Sequence, residues 1–112
     1  MMIYQFRLIP QRDKRQTILQ IFRSIIPATL AKPGCMDSSL FEEFDASRSI
    51  LYTEQWSSDE DLHRHVRSSQ FLKILAAMDM AESPPQVNFH EVVSTSHLEL
   101  IQEIRDRNQP VN

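Results

Sequence analysis

His65 is the side chain of this sequence best suited to move a proton near neutral pH, because an imidazole titrates there without special surroundings. It lies in the run Glu54-Gln55-Trp56-Ser57-Ser58-Asp59-Glu60-Asp61-Leu62-His63-Arg64-His65-Val66-Arg67-Ser68-Ser69-Gln70-Phe71. Leu62 and Val66, four apart, share one face of a short helix, and His65 flanks that apolar face, half-buried near the sheet edge. An imidazole so placed could accept a phenolic proton. Spacing alone favours the plainer role, a boundary histidine bonded to backbone. Trp56 and Phe71 read first as core aromatics and second as walls of a pocket for a flat ligand. Glu54 shares Trp56's side of a strand. A carboxylate among apolar residues needs a partner, and Arg7 or another strand cation is the expected one.

The remaining reactive groups carry less. His63 is two residues from His65 and points away from it, His90 falls in the last strand, and His97 opens a tail helix. No Cys-x-x-Cys or His-Glu-x-x-His spacing is present, so no metal is expected, and His63 and His97 read as surface residues. Cys35 has no base beside it in sequence to generate a thiolate, and reads as a small buried hydrophobe. The only glycine, Gly34, excludes dinucleotide-binding and P-loop cradles, which need several, and is misplaced for a Gly-x-Ser-x-Gly elbow. The acidic run Asp59-Glu60-Asp61 suits a helix N-terminus, and Arg105-Asp106-Arg107 a solvated helix end.

A chain of 112 residues suits one domain, which buries only roughly two-thirds of its unfolded surface, so a shared dimer core would help. Hydrophobic residues at 41% and charged residues at 24% are those of a soluble globular protein. The net charge of −3, without a basic stripe, gives nucleic-acid binding no support. Apolar runs are too short for a membrane span, and no signal segment is visible. A single cysteine excludes an internal disulfide and fits the reducing cytoplasm.

The elements that must position these groups follow from periodicity. Met2 to Ile9 reads as a strand ended by Pro10. Asp13 caps a helix with the stripe Ile18, Leu19, Ile21, Phe22, Ile25 and Ile26, which Pro27 should bend or end. Cys35 to Phe44 and Ser49 to Trp56 form a hairpin across Asp45-Ala46-Ser47-Arg48. Ser57 with Glu60 makes a capping box for a helix from Asp59 to Arg67. Ser68 or Ser69 caps a second helix to Ala81, with Phe71, Leu72, Leu75, Met78 and Ala81 on one side. Gln86 to Val93 is a fourth strand, and a capping box of Ser96 and Glu99 opens a tail helix striped by Leu98, Ile101 and Ile104, with a frayed end beyond it. The order β-α-β-β-α-α-β is that of an α+β, ferredoxin-like split βαβ fold with a four-stranded antiparallel sheet, residues 1–95, followed by a C-terminal helical extension, residues 96–112. Ile50, Tyr52 and Trp56 point to one side of their strand and Leu51 to the other. Apolar residues on both faces predict that two sheets pack together in a homodimer.

Pro33-Gly34-Cys35, Leu51-Tyr52-x-Glu54-x-Trp56 and Leu62-x-x-His65-Val66-x-Ser68-x-x-Phe71, in this order of elements, resemble the antibiotic biosynthesis monooxygenase family, over about Met2 to Val93. The resemblance implies a dimeric α+β barrel with one pocket per subunit. It implies a cofactor-independent monooxygenase of a small aromatic quinol or anthrone with O2, with no cofactor and no metal. His65 would be the catalytic proton acceptor or hydrogen-bond donor, and Trp56, Phe71, Tyr4, Phe89 and Glu54 would bind substrate. Haem-degrading relatives use a first-strand asparagine, a short-helix tryptophan and a haem-ligating histidine. This chain has no asparagine in that strand, His65 at the tryptophan's place and Leu75 near the ligand's. The other readings are a non-catalytic dimeric ligand-binding module and an oxygen-independent isomerase of the same superfamily.

Overall fold

Tyr4, Phe6 and Leu8 alternate with Gln5 and Arg7, and Ile50, Tyr52, Glu54 and Trp56 alternate with Leu51, Thr53 and Gln55, so each strand buries one side only. The structure, a computed structural model, describes residues 1–107. Its elements are β1 (Met2–Leu8), α1 (Arg15–Leu30), β2 (Cys35–Glu42), β3 (Ile50–Trp56), α2 (Asp59–Val66), α3 (Phe71–Met78), β4 (Gln86–Glu91) and α4 (Glu99–Asp106). The frayed end expected after the tail helix lies outside the described residues.

The strands form one sheet in the order β2-β3-β1-β4, with every neighbouring pair antiparallel. β1 and β2 are therefore parallel to each other with β3 between them, the split βαβ of the ferredoxin-like fold. The register sets Phe6 opposite Tyr52, Tyr4 opposite both Glu54 and Phe89, and Ser38 opposite Glu54, all on the side facing the helices. There Tyr4, Phe6, Leu8, Ile50, Tyr52 and Trp56 meet Ile18, Phe22 and Ile25 of α1, Leu62 of α2, and Phe71, Ile74 and Ala77 of α3. Phe22 wedges between Phe6 and Tyr52, with centroids 6.0 and 4.6 Å away and rings tilted as aromatic quadrupoles prefer.

Several local expectations are corrected. Of the bend or end expected at Pro27, the end does not occur: α1 runs on to Leu30, with buried Ile25 and Thr29 holding the turns on either side against the core. α1 is capped by Lys14 rather than Asp13, without a side-chain bond. α2 is capped by Ser58 rather than Ser57: its Oγ accepts from Asp61 N–H at 3.2 Å. Neither Ser68 nor Ser69 caps α3, since Ser68 Oγ instead donates to the carbonyl of His65. Apolar residues surround α3, so periodicity did not fix its inner face. The structure buries Phe71, Ile74 and Ala77 and leaves Leu72 and Leu75 exposed. The Ser96–Glu99 box does not form, because α4 starts after Leu98. α4 buries none of its residues.

Gly34 ties β2 to α2. Its φ of +84° is a left-handed conformation, and a Cβ there would lie 2.1 Å from Asp61 Oδ2. Its carbonyl also accepts from Ser57 N–H at 2.8 Å. Gly34→Ala is expected to cost about 2 kcal/mol, combining backbone strain with loss of the Ser58–Asp61 cap. A shift in urea midpoint measures it. An unchanged midpoint would show that neither the left-handed backbone nor the contact with Asp61 matters here.

Candidate functional site

β3 sends Tyr52, Glu54 and Trp56 toward the helices, and α2 turns Leu62 and His65 back onto them. Glu54 is completely buried, and its carboxylate is the centre of a hydrogen-bonded network. Tyr52 O–H donates to Oε2 at 2.6 Å, Trp56 Nε1–H to Oε1 at 2.9 Å, and His65 Nε2 lies 3.0 Å from Oε2. On the other side of the imidazole, Lys32 Nζ lies 2.8 Å from Nδ1. An ammonium only donates, so Nδ1 is the acceptor and the ring proton sits on Nε2, directed at Glu54. The buried charge is thus met by three donors and, through a neutral imidazole, by the cation of Lys32. Lys32 also donates to Ser68 Oγ at 3.1 Å. Because Tyr52 gives its proton to Glu54, it accepts from Ser38 Oγ at 2.9 Å.

The environment keeps both tyrosines protonated. Burial first, and the charge of Glu54 second, push the hydroxyls of Tyr4 and Tyr52 far above the phenol range. Tyr4 Oη is buried and has no hydrogen-bond partner among the described residues. Lys32 is pulled below the ordinary lysine range by burial, against the opposing charge of Glu54. The Cys35 thiol is pushed up by burial and by Glu54, which keeps it protonated and unreactive.

Aromatic rings complete the cluster. Trp56 lies 4.9 Å from His65 between centroids, and Phe71 meets His65 edge-on at 5.5 Å. Tyr4 contacts Phe71 at 5.8 Å and stacks on Phe89 at 5.0 Å. All six residues singled out from sequence therefore come together, with Phe89, 54% exposed, at the rim. Two expectations about them fail. His65 is not half-buried but 1% exposed, because α2 lies flat on the end of β3. Arg7 does not pair with Glu54: it occupies the opposite sheet face, where it binds Glu43. Lys32, Tyr52, Ser38 and Ser68 were missed. Tyr52 was legible as the residue two before Glu54, on the same strand side. Lys32 was not, since a loop residue has no periodicity.

Lys32, Pro33, Trp56, Arg64, His65 and Ser68, with Asp61, line a pocket of about 270 Å³ open to solvent. Its size is near the lower end of the roughly 300–1,000 Å³ typical of ligand sites. A second hollow of about 310 Å³, between His63, Val66, Arg67 and Phe89, lies on another side of α2. A larger pocket of about 410 Å³ sits at the far end of the sheet, but its carboxylates are already engaged, Glu43 by Arg7 and Ser49 and Asp45 by Ser47. Among the described residues, no three histidine, cysteine, aspartate or glutamate side chains converge as a metal site.

Known proteins share this framework. Rv0793 of Mycobacterium tuberculosis superposes with a TM-score of 0.77 at 21% identity, over 86% of this chain and 98% of that one. A Deinococcus radiodurans protein assigned to antibiotic biosynthesis monooxygenases gives a TM-score of 0.78 at 18% identity, over 88% and 98%. A conserved Methanosarcina mazei protein gives 0.74 at 21%, over 80% and 90%. At these identities the likeness establishes the fold. No curated protein matches the sequence. Residues 1–77, more than half of the chain, match the sequence profile of antibiotic biosynthesis monooxygenases, and the chain belongs to that family.

Proposed function

We propose that this protein is a cofactor-independent monooxygenase of a small quinol- or anthrone-like aromatic, and that His65 is its proton acceptor. The observation that carries the reading is the Lys32–His65–Glu54 line, which runs from a solvent-open pocket beside Trp56 to a fully buried carboxylate. Glu54 orients the ring and stabilises the imidazolium that proton uptake would create. The substrate anion, once formed, transfers an electron to O2. Recombination makes a C–O bond and a peroxide anion, which takes the proton back from His65. The hydroperoxide then loses its outer oxygen as water together with the hydrogen on the oxygenated carbon, and a carbonyl is left. One oxygen atom ends in the product and the other in water. The protein's part is to ionise the substrate, hold it and limit water around it. Trp56 walls the pocket, Phe71 and Tyr4 back His65 from the core, Phe89 borders the neighbouring hollow, and Glu54 anchors the imidazole.

Two copies would pack through the sheet face opposite the helices, where Ile3, Leu51 and Phe41 lie among polar residues. Sedimentation at micromolar concentration should give a dimer, and a monomer would sink this part. Residues 96–112 would form an extension outside the common domain. The lone cysteine favours the cytoplasm. Among the described residues no helix is long and apolar enough to cross a membrane.

Oxygen uptake by the purified protein on reduced quinols, anthrones and catechols, against a heat-denatured control, tests the reaction. Full engagement of both ring nitrogens of His65 favours a second reading, a module that binds an aromatic ligand without chemistry. Thermal shifts with ligand but no oxygen uptake would select it. Conversion of a substrate without oxygen would select an isomerase.

A further inference from the structure

His65 is 1% exposed and both of its ring nitrogens are engaged, so it has no free atom to offer a ligand. Lys32 Nζ bonds to it, lines the pocket and comes from the link between α1 and β2. We propose that Lys32 is the residue that touches the substrate, binding the ionisable oxygen of a small hydroxyarene beside Trp56 and relaying its proton to His65. The substrate assignment rests on the monooxygenase reading, whereas the anion-binding role can be tested apart from it.

The proton count closes. Lys32 gives one N–H proton to Nδ1 of neutral His65, whose Nε2–H stays hydrogen-bonded to Glu54. The resulting amine takes the hydroxyl proton of the substrate. The oxyanion then faces a Lys32 ammonium, and the imidazolium faces the Glu54 carboxylate. Net charge is unchanged, and the substrate's proton has in effect moved to His65.

Three observations support the assignment. Burial already pulls Lys32 below the ordinary lysine range, which eases the transfer. The groups facing Lys32 are His65 and Ser68 directly, Glu54 behind the imidazole, Cys35 on β2, and Asp61 and Arg64 in the same pocket. The other cation there, Arg64, is held by Asp61 at 2.8 Å and Glu60 at 3.6 Å, which leaves Lys32 as the pocket's cation for an oxyanion. The pocket of about 270 Å³ suits one or two rings better than a long polycycle.

The probe is 4-nitrophenol, nearly colourless as the phenol and yellow as the phenolate, mixed with the full chain at a pH where the free compound is mostly neutral. A close cation should raise the ionised-to-neutral ratio of the bound probe about tenfold. Lys32→Met should abolish that shift and the exposed control Lys73→Met should keep it. Lys32→Arg should keep the colour but not restore oxygen uptake, since guanidinium binds the anion yet does not give up its proton. Melting curves confirm that each variant is folded. An equal yellow shift in Lys32→Met, or none in the wild type, overturns the proposal. Oxygen uptake in Lys32→Met with unchanged kcat and KM also overturns it and leaves the monooxygenase reading standing. A Lys32-dependent shift in a protein that never consumes oxygen upholds the anion site and removes the monooxygenase reading.

Discussion

Glu54→Ala is expected to destabilise the fold by about 3–5 kcal/mol, the result of stranding three buried donors at once. Glu54 is completely buried and accepts from Tyr52, Trp56 and His65 at 2.6–3.0 Å. Truncation leaves all three donors facing a cavity, and an orphaned buried donor costs about 1–3 kcal/mol. Water entering the vacated space recovers part of that sum, which keeps the net below the full total. Against a usual stability of about 5–15 kcal/mol, the loss is a large share. Glu54→Gln keeps the shape but turns an NH2 group toward donors, so it should fall between alanine and wild type. Urea unfolding followed by Trp56 fluorescence measures both variants, because the indole N–H is one of the bonds broken. A loss below about 1 kcal/mol in Glu54→Ala would mean that the network is not what holds α2 on the sheet.

His65→Ala is expected to lower oxygen uptake on an accepted quinol by about 10²–10⁴-fold, the usual contribution of a positioned acid–base group. The loss should fall on kcat, with ligand-induced thermal shifts retained, because Trp56 and Lys32 remain to bind. His65 is wedged between Trp56 and Phe71, so its removal also opens a ring-sized gap. Free imidazole added to the variant separates the two effects. Partial recovery of rate points to proton transfer, whereas a purely structural role would leave the rate low. Full turnover in His65→Ala would remove His65 from the mechanism.

The fold was legible because it follows from periodicities that survive any packing. Alternation along Met2 to Leu8 and Ile50 to Trp56 fixed which side chains face the helices, and the order of elements permitted few sheets. The same alternation put Glu54 and Trp56 on one side, and helical spacing placed His65 near the apolar face of α2, so these members of the cluster were in view from the start. The inner face of α3 was not, because apolar residues on every side of a short helix leave its rotation to be chosen by what it packs against. The end of α1 was not either, since a buried Thr29 outweighs the donor lost at Pro27.

The identity of Glu54's partners depended on alternation and packing together. A carboxylate needs a donor; alternation along β1 already turns Arg7 to the opposite face, and the tertiary packing of α2 on β3 supplies His65 beside Tyr52 and Trp56. Lys32 illustrates the general limit. It is separated from His65 by 33 positions and lies on a loop, where no repeating pattern reports direction, and only the tertiary structure brings its amine to the imidazole. Periodic elements thus determined what faces inward, and the meeting of a loop, a strand and a helix decided which groups can exchange a proton.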